Sequence, residues 1–196
     1  MVKIDALGIA CPGPVIMTKK QLDGIEEGIV EVRVDNEVAR QNLKRFAESS
    51  GFEVVDQQDD EALFTVTITK GTMDAAEEEQ LPVAPGLTVG IGSNLMGTGE
   101  EELGKVLMRS FMYTVSETEP YPETIVFFNS GVFLTTEGSD VLDDLEKLAG
   151  EGVEIISCGT CLDYYKLKDK LAIGEISNMY TIYEKLKNPG RNVIIG

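Results

Sequence analysis

The chain has 196 residues, more than one small domain needs and about right for two compact ones. Its 34 Asp+Glu against 17 Lys+Arg leave a formal charge of −17, and the acidic excess runs along the whole length, which argues against docking on a phosphate backbone. Three cysteines and no histidine remove the usual general base, every Ser-His or Cys-His nucleophile pair, and any structural zinc site completed within one chain.

No apolar run approaches the roughly 18 residues of a membrane span. The N-terminus MVKIDALGIAC is also too short and too broken by Asp5 to read as a secretory signal. The reading is a soluble, cytoplasmic protein with neither membrane nor nucleic-acid partners.

Residues 1–71 read as β-α-β-α-β-β. A short strand over 2–6 precedes a helix from about Pro12 to Asp23. The alternation of Val30, Val32 and Val34 with Glu31 and Arg33 marks a strand with one buried face. Ala39, Leu43, Phe46, Ala47 and Ser50 share one stripe of a second helix that Gly51 ends. Strands follow at Phe52–Val55 and Leu63–Lys70, with the turn expected at Asp59-Asp60. One buried sheet face and two amphipathic helices predict a two-layer α/β sandwich.

Residues 72–86, TMDAAEEEQLPVAPG, carry an acidic run and two prolines without a period, and read as a linker. From residue 87 to 196 the pattern changes. LTVGIGSN, TIVFFNSGV, GVEIISCG and RNVIIG are short apolar runs of the kind that suit parallel strands buried on both faces. Helical stripes alternate with them: Leu103, Val106, Leu107, Ser110 and Phe111; then Val141, Leu145, Leu148 and Ala149; then Met179, Ile182, Tyr183 and Leu186, with Ser177 as N-cap. This predicts an open, mostly parallel, doubly wound sheet. Ser93-Asn94, Asn129-Ser130-Gly131 and Cys158–Cys161 then fall beyond strand C-terminal ends, the edge where such sheets bind ligands.

The first chemical motif is Cys11-Pro12-Gly13-Pro14. Proline is tolerated in a first helical turn, where its missing N–H has no intrahelical partner. The motif therefore sets Cys11 at or just before a helix start, with free N–H groups and the positive dipole end facing the sulfur. That setting favours a thiolate.

With Asp5, Leu7, Gly8, Cys11, Pro12, Pro14, Val34-Asp35, Phe46 and Gly51, the first segment resembles the TusA/SirA family of small sulfur carriers. The hallmark of that family is Cys-Pro-x-Pro at the first helix. The resemblance implies that Cys11 takes a sulfane sulfur as a persulfide and hands it on.

The second motif is Cys158-Gly159-Thr160-Cys161, between a strand and a helix. C-x-x-C there is a redox arrangement in which one thiol can resolve the other, or two packed small side chains. Residues 87–196 resemble the DsrE/DsrF-like family, which implies a flavodoxin-like sheet, a persulfide cysteine in this region and self-association into a homo-oligomer. The two resemblances together match the arrangement of YedF-type selenium-metabolism proteins, although a single cysteine rather than a pair is the comparison pattern.

Two stretches are set aside. Gly92 to Gly97 lacks the lysine of a phosphate-binding loop, since Thr98 follows, and Leu95 stands where a dinucleotide fingerprint needs glycine. Asn94 and Gly97 remain as candidate pocket lining, and Asn129 and Gly159 as candidate binding residues. Tyr164, Tyr165, Tyr180 and Tyr183 read as core or an oligomer surface, or as walls of the C-x-x-C site.

The leading expectation is a carrier of activated sulfur or selenium that needs no metal or cofactor. Its partners are a cysteine desulfurase or other persulfide donor and a downstream acceptor protein. Two alternatives stand beside it: a dithiol-disulfide reductase using Cys158 and Cys161, and a non-catalytic partner-binding module.

Overall fold

The computed structural model describes residues 1–10, 12–71, 86–187 and 191–196. The expected linker, apart from Gly86, lies outside the described residues. So does Cys11. The chain divides into two compact units, Met1–Glu79 and Gln80–Gly196.

The first unit is a four-stranded mixed sheet with two helices. Its elements are β1 (Val2–Asp5), α1 (Gly13–Asp23), β2 (Gly28–Val34), α2 (Glu37–Ser49), β3 (Glu53–Asp60) and β4 (Leu63–Lys70). The strand order is β1-β2-β4-β3; β1 and β2 run parallel, and the other pairs are antiparallel. Val30, Val32 and Val34 turn inward with Phe64, Val66 and Ile68 of β4, and Leu22, Ala39, Leu43 and Ala47 of the helices close the core. Asn36 caps α2 by accepting from the Ala39 amide at 2.8 Å. Lys70 Nζ donates to the carbonyls of Leu22 and Ile25 at the far end of α1, where a cation suits the exposed carbonyls.

β3 is longer than its sequence pattern indicates. It runs to Asp60, and the turn falls at Glu61-Ala62 rather than at Asp59-Asp60. β3 is an edge strand, so its polar half meets no core. Asp56 instead pairs with Arg40 and Lys44 of α2, and Thr65 donates to Asp59 at 2.5 Å.

The second unit is an all-parallel sheet. It comprises β5 (Thr88–Ile91), α3 (Glu101–Glu117), β6 (Thr124–Phe127), α4 (Leu142–Gly150), β7 (Glu154–Cys158), α5 (Gly159–Tyr165), β8 (Glu175–Ser177), α6 (Met179–Leu186) and β9 (Asn192–Ile195). A 3-10 segment, Asn129–Thr135, follows β6. The strand order is β8-β7-β6-β5-β9. One face carries Val89, Ile91, Ile125, Phe127 and Ile155 against α3 and α4; the other packs Val126, Ile156 and Cys158 against Ile182 of α6. The doubly wound expectation holds. β8, three residues long and without a pattern, is an addition to it.

Three details of the helices depart from the sequence reading. In α3 the buried face is Gly104, Met108, Met112 and Ser116, while Leu103, Val106 and Leu107 are exposed. Gly104 lets the helix approach the Leu95 side chain, and the Ser116 hydroxyl donates to Asp144 of α4 at 2.7 Å. In α4, Ala149 faces outward beside buried Leu145 and Leu148. The cap of α6 is Asn178, which accepts from the Thr181 amide at 3.1 Å, because Ser177 is spent on β8. Met179 and Tyr183 lie exposed, leaving Ile182 as the anchor of that helix.

The α3 assignment has a direct check. Met112→Ala, at a fully buried site, is expected to cost about 2–5 kcal/mol. Leu107→Ala should stay within about 0.5 kcal/mol. Chemical-denaturation midpoints measure both, and equal losses would mean that Leu107 is packed.

Candidate functional site

The approach to α1 is fixed by hydrogen bonds on the sequence preceding Cys11. Asp5 Oδ1 accepts the Leu7 amide at 3.2 Å, and the Gly8 amide donates to Asp35 Oδ2 at 2.7 Å. The Gly8 amide, followed by the Asn36 side chain, holds the Asp35 carboxyl below its ordinary range. The link between the loop and the β2–α2 turn is therefore present at neutral pH and is lost as acid protonates Asp35.

Pro12 is the N-cap of α1, and Pro14 lies in the first turn, as the motif requires. The expectation of free amides there is corrected, however. Gly13 N–H donates to the Ala10 carbonyl at 2.9 Å, Val15 and Ile16 both donate to the Pro12 carbonyl at 3.0 and 3.2 Å, and Pro14 has no N–H. Two prolines and a tightened first turn use up the donors that an open helix start leaves. A Cβ added at Gly13 would fall 2.4 Å from Ile9 Cγ2, so glycine is what lets the incoming loop lie against the helix. Gly13→Ala is expected to destabilise this unit by about 1–3 kcal/mol, read from the denaturation midpoint, because stiff, branched Ile9 must move.

The second cysteine region sits on the C-terminal edge of the parallel sheet. Cys158 is the last residue of β7 and only 1% exposed, packed with Val126, Ile156 and Ile182. Cys161 lies in α5 and is partly exposed; both thiols are free, and Cys161 packs against the cluster that contains Cys158. Gly159, between them, stands against Ile176 and Ser177 of β8.

Asn129 is brought directly into this site. Its backbone amide donates to Cys161 Sγ at 3.1 Å, and it holds φ +50°, a left-handed conformation that asparagine tolerates better than most residues. Tyr165 OH donates to Asn129 Oδ1 at 3.2 Å, and the Tyr165 ring packs on Phe133, with centroids 4.9 Å apart. Below, the buried hydroxyls of Ser157 and Thr135 meet at 2.8 Å and tie β7 to the Asn129–Thr135 segment. A Cβ at Gly131 would fall 2.2 Å from the Ile91 carbonyl, so the segment also lies tight against the end of β5.

Asn94 is not brought to the cysteines. It lines a separate cavity of about 380 Å³ with Lys105, Arg109, Phe133, Ser139 and Lys170. Among the described residues no group of three or more His, Cys, Asp or Glu side chains is placed to hold a metal ion.

Tyr165 is the tyrosine that walls the cysteine site; Tyr164, Tyr180 and Tyr183 point into solvent and not into the core. The role of the Asn129 amide has no signal in the sequence beyond its place after a strand, because a backbone N–H belongs to every residue type but proline.

Burial pushes the Cys161 thiol up from its ordinary value, and the neighbouring Cys158 thiol adds to that shift. The Asn129 amide pulls the other way by favouring the thiolate. Alkylation of Cys161 is therefore expected to keep accelerating beyond pH 9.0, the ordinary thiol value. Tyr165→Phe, which releases Asn129, should move that profile further to alkaline pH. An unmoved profile would show that Tyr165 does not act on Cys161 through Asn129.

Residues 2–70 match the family model described as Sulfurtransferase TusA. A candidate sulfur carrier protein of Methanocaldococcus jannaschii is 44% identical over 71 residues, which are 36% of this chain and 95% of that protein. The candidate sulfur carrier YrkI of Bacillus subtilis is 35% identical over 69 residues, 35% of this chain and 92% of the relative. The crystal structure of the SirA-like protein from Desulfitobacterium hafniense covers 36% of this chain and 99% of its own, at 44% identity and a TM-score of 0.35. Among the described residues no helix is long and apolar enough to cross a membrane. Through the TusA/SirA-like sulfur-carrier domain at its N-terminus, the chain belongs to the TusA family.

Proposed function

We propose that this protein is an intracellular carrier of activated sulfur or selenium, loaded at Cys11 and unloaded through Cys158 and Cys161. The observation that carries the reading is the membership of residues 2–70 in the TusA family, with Cys11-Pro12-Gly13-Pro14 at the junction between the Asp35-anchored loop and α1. In the loading step the Cys11 thiolate attacks the terminal sulfur of a donor persulfide. A new S–S bond forms on Cys11, the donor S–S bond breaks, and the donor leaves as a thiolate. This exchange needs no imidazole.

In this proposal residues 1–71 are the carrier, residues 72–86 a tether, and residues 87–196 a DsrE/DsrF-like domain that accepts or reductively releases the chalcogen. A short tether raises the effective concentration of one domain at the other. The donor is a cysteine desulfurase or another persulfide protein, and the acceptor is a protein of sulfur or selenium metabolism, as in YedF-type chains. Self-association through the second domain belongs to the same reading. The exposed Leu103, Val106 and Leu107 of α3 supply apolar surface for it.

A second reading, a dithiol-disulfide reductase, is favoured by the packing of the two free thiols in one cluster. It makes Cys11 dispensable, so one experiment separates the two. Incubated with a cysteine desulfurase and cysteine, the wild-type protein should gain the mass of one sulfur atom on the Cys11 peptide, and Cys11→Ser should not. Equal loading of Cys11→Ser overturns the carrier role of Cys11. Thiol-disulfide turnover that survives that substitution, with no loading, supports the reductase.

A further inference from the structure

We infer that the two thiols of the C-x-x-C divide the labour: Cys161 accepts the sulfane sulfur, and Cys158 resolves it, releasing sulfide. The inference rests on the carrier reading above and assigns roles within its second site.

Access decides the first role. Cys158 is 1% exposed and walled by Val126, Ile156 and Ile182, so a persulfide carried on a protein surface cannot reach its sulfur. Cys161 is partly exposed, and the Asn129 amide points at its sulfur from 3.1 Å. That amide is a fixed donor to any negative charge that develops on the Cys161 side during exchange. It is held there by Tyr165 on one side and by the tight seat of Gly131 on β5 on the other. The order is set by the fold: the first cysteine ends a buried strand, and the second lies in the helix that leaves the sheet edge.

Contact decides the second role. Cys161 packs against the small cluster that contains Cys158, with only Gly159 and Thr160 between them at the strand-to-helix junction, so the two thiols are neighbours on one fixed piece of backbone. In the accepting step the Cys161 thiolate attacks the outer sulfur of the donor persulfide. The donor S–S bond breaks, and the donor departs as a thiolate. In the resolving step Cys158 attacks Cys161 Sγ. The bond between Sγ and the outer sulfur breaks, a Cys158–Cys161 disulfide forms, and the Cys158 proton leaves with the outer sulfur as HS⁻.

The two cysteines lose two electrons, and the sulfane sulfur gains them. A perselenide gives HSe⁻ by the same exchange. Each turnover leaves a disulfide, so a dithiol reductant must restore the pair. The reaction class that consumes the product is accordingly one that takes free sulfide or selenide.

The test uses the full chain, reduced, anaerobic and exposed to inorganic polysulfide, with alkylation trapping, peptide mapping and a sulfide assay. Wild type should release sulfide and form the Cys158–Cys161 disulfide. Cys158→Ser and Cys158→Ala should keep a trapped persulfide on Cys161 and lose that release. Two substitutions guard against a local packing effect of either one. Cys161→Ser should carry no sulfur on Cys158.

Sulfur mapped to Cys158, or sulfide released from the Cys158 variants as from wild type, overturns the inference. Sulfur on Cys161 with none on Cys11 leaves the division of roles standing and sinks the carrier reading. No sulfur on any cysteine sinks both.

Discussion

Parallel strand pairing is the constraint on which both cysteine regions depend. Two parallel strands cannot be joined by a tight turn; the chain must leave one edge of the sheet, cross and return. β1 pairs parallel to β2, and β7 pairs parallel to β6 and β8. Each of β1 and β7 therefore ends in an obligatory strand-to-helix junction, and the cysteines of this chain stand at those two junctions. Ligands of open α/β sheets bind at such edges.

The two junctions are built differently. Ahead of α1 the chain takes the seven residues between Asp5 and Gly13, and side-chain carboxylates of Asp5 and Asp35 organise the amides of that loop. The first turn of α1 then consumes its own donors through Ala10 and Pro12. After β7 there is no loop at all. The strand hands directly to α5, and the donor facing the Cys161 sulfur comes from a different strand end, through Asn129. At that second site a backbone amide does face a cysteine sulfur, and it is supplied by another element.

How much was legible follows from how many faces each element buries. Val30, Val32 and Val34 alternate because one face of β2 meets a core and the other meets water, and that pattern needs no structure to read. α3 defeated the same logic because it carries two apolar stripes. Leu103, Val106 and Leu107 read as well as Met108 and Met112, and the deciding residues are Gly104, which must approach Leu95, and Ser116, which must meet Asp144. β8 was hidden because three residues show no period, and the polar half of β3 because an edge strand owes nothing to the core.

At the candidate site, the cysteines and Asn129 were visible as residues beyond strand ends. Their separation from Asn94, and the part of Tyr165, are matters of tertiary placement, which spacing alone does not encode.

The absence of histidine gives the site its chemical character. A catalyst that moves protons at neutral pH ordinarily uses imidazole. Here the groups set around the second cysteine pair are thiols, a phenol, hydroxyls and an amide, and burial pushes the Cys161 thiol toward its neutral form. Such a site is poorly equipped for general acid-base work on oxygen or nitrogen. It suits exchange between sulfur atoms, where the attacking thiol surrenders its own proton to the departing sulfur and no third group has to hold it. A composition without imidazole thus leaves exchange at sulfur as the chemistry these groups suit, and the carrier and reductase readings both draw on it.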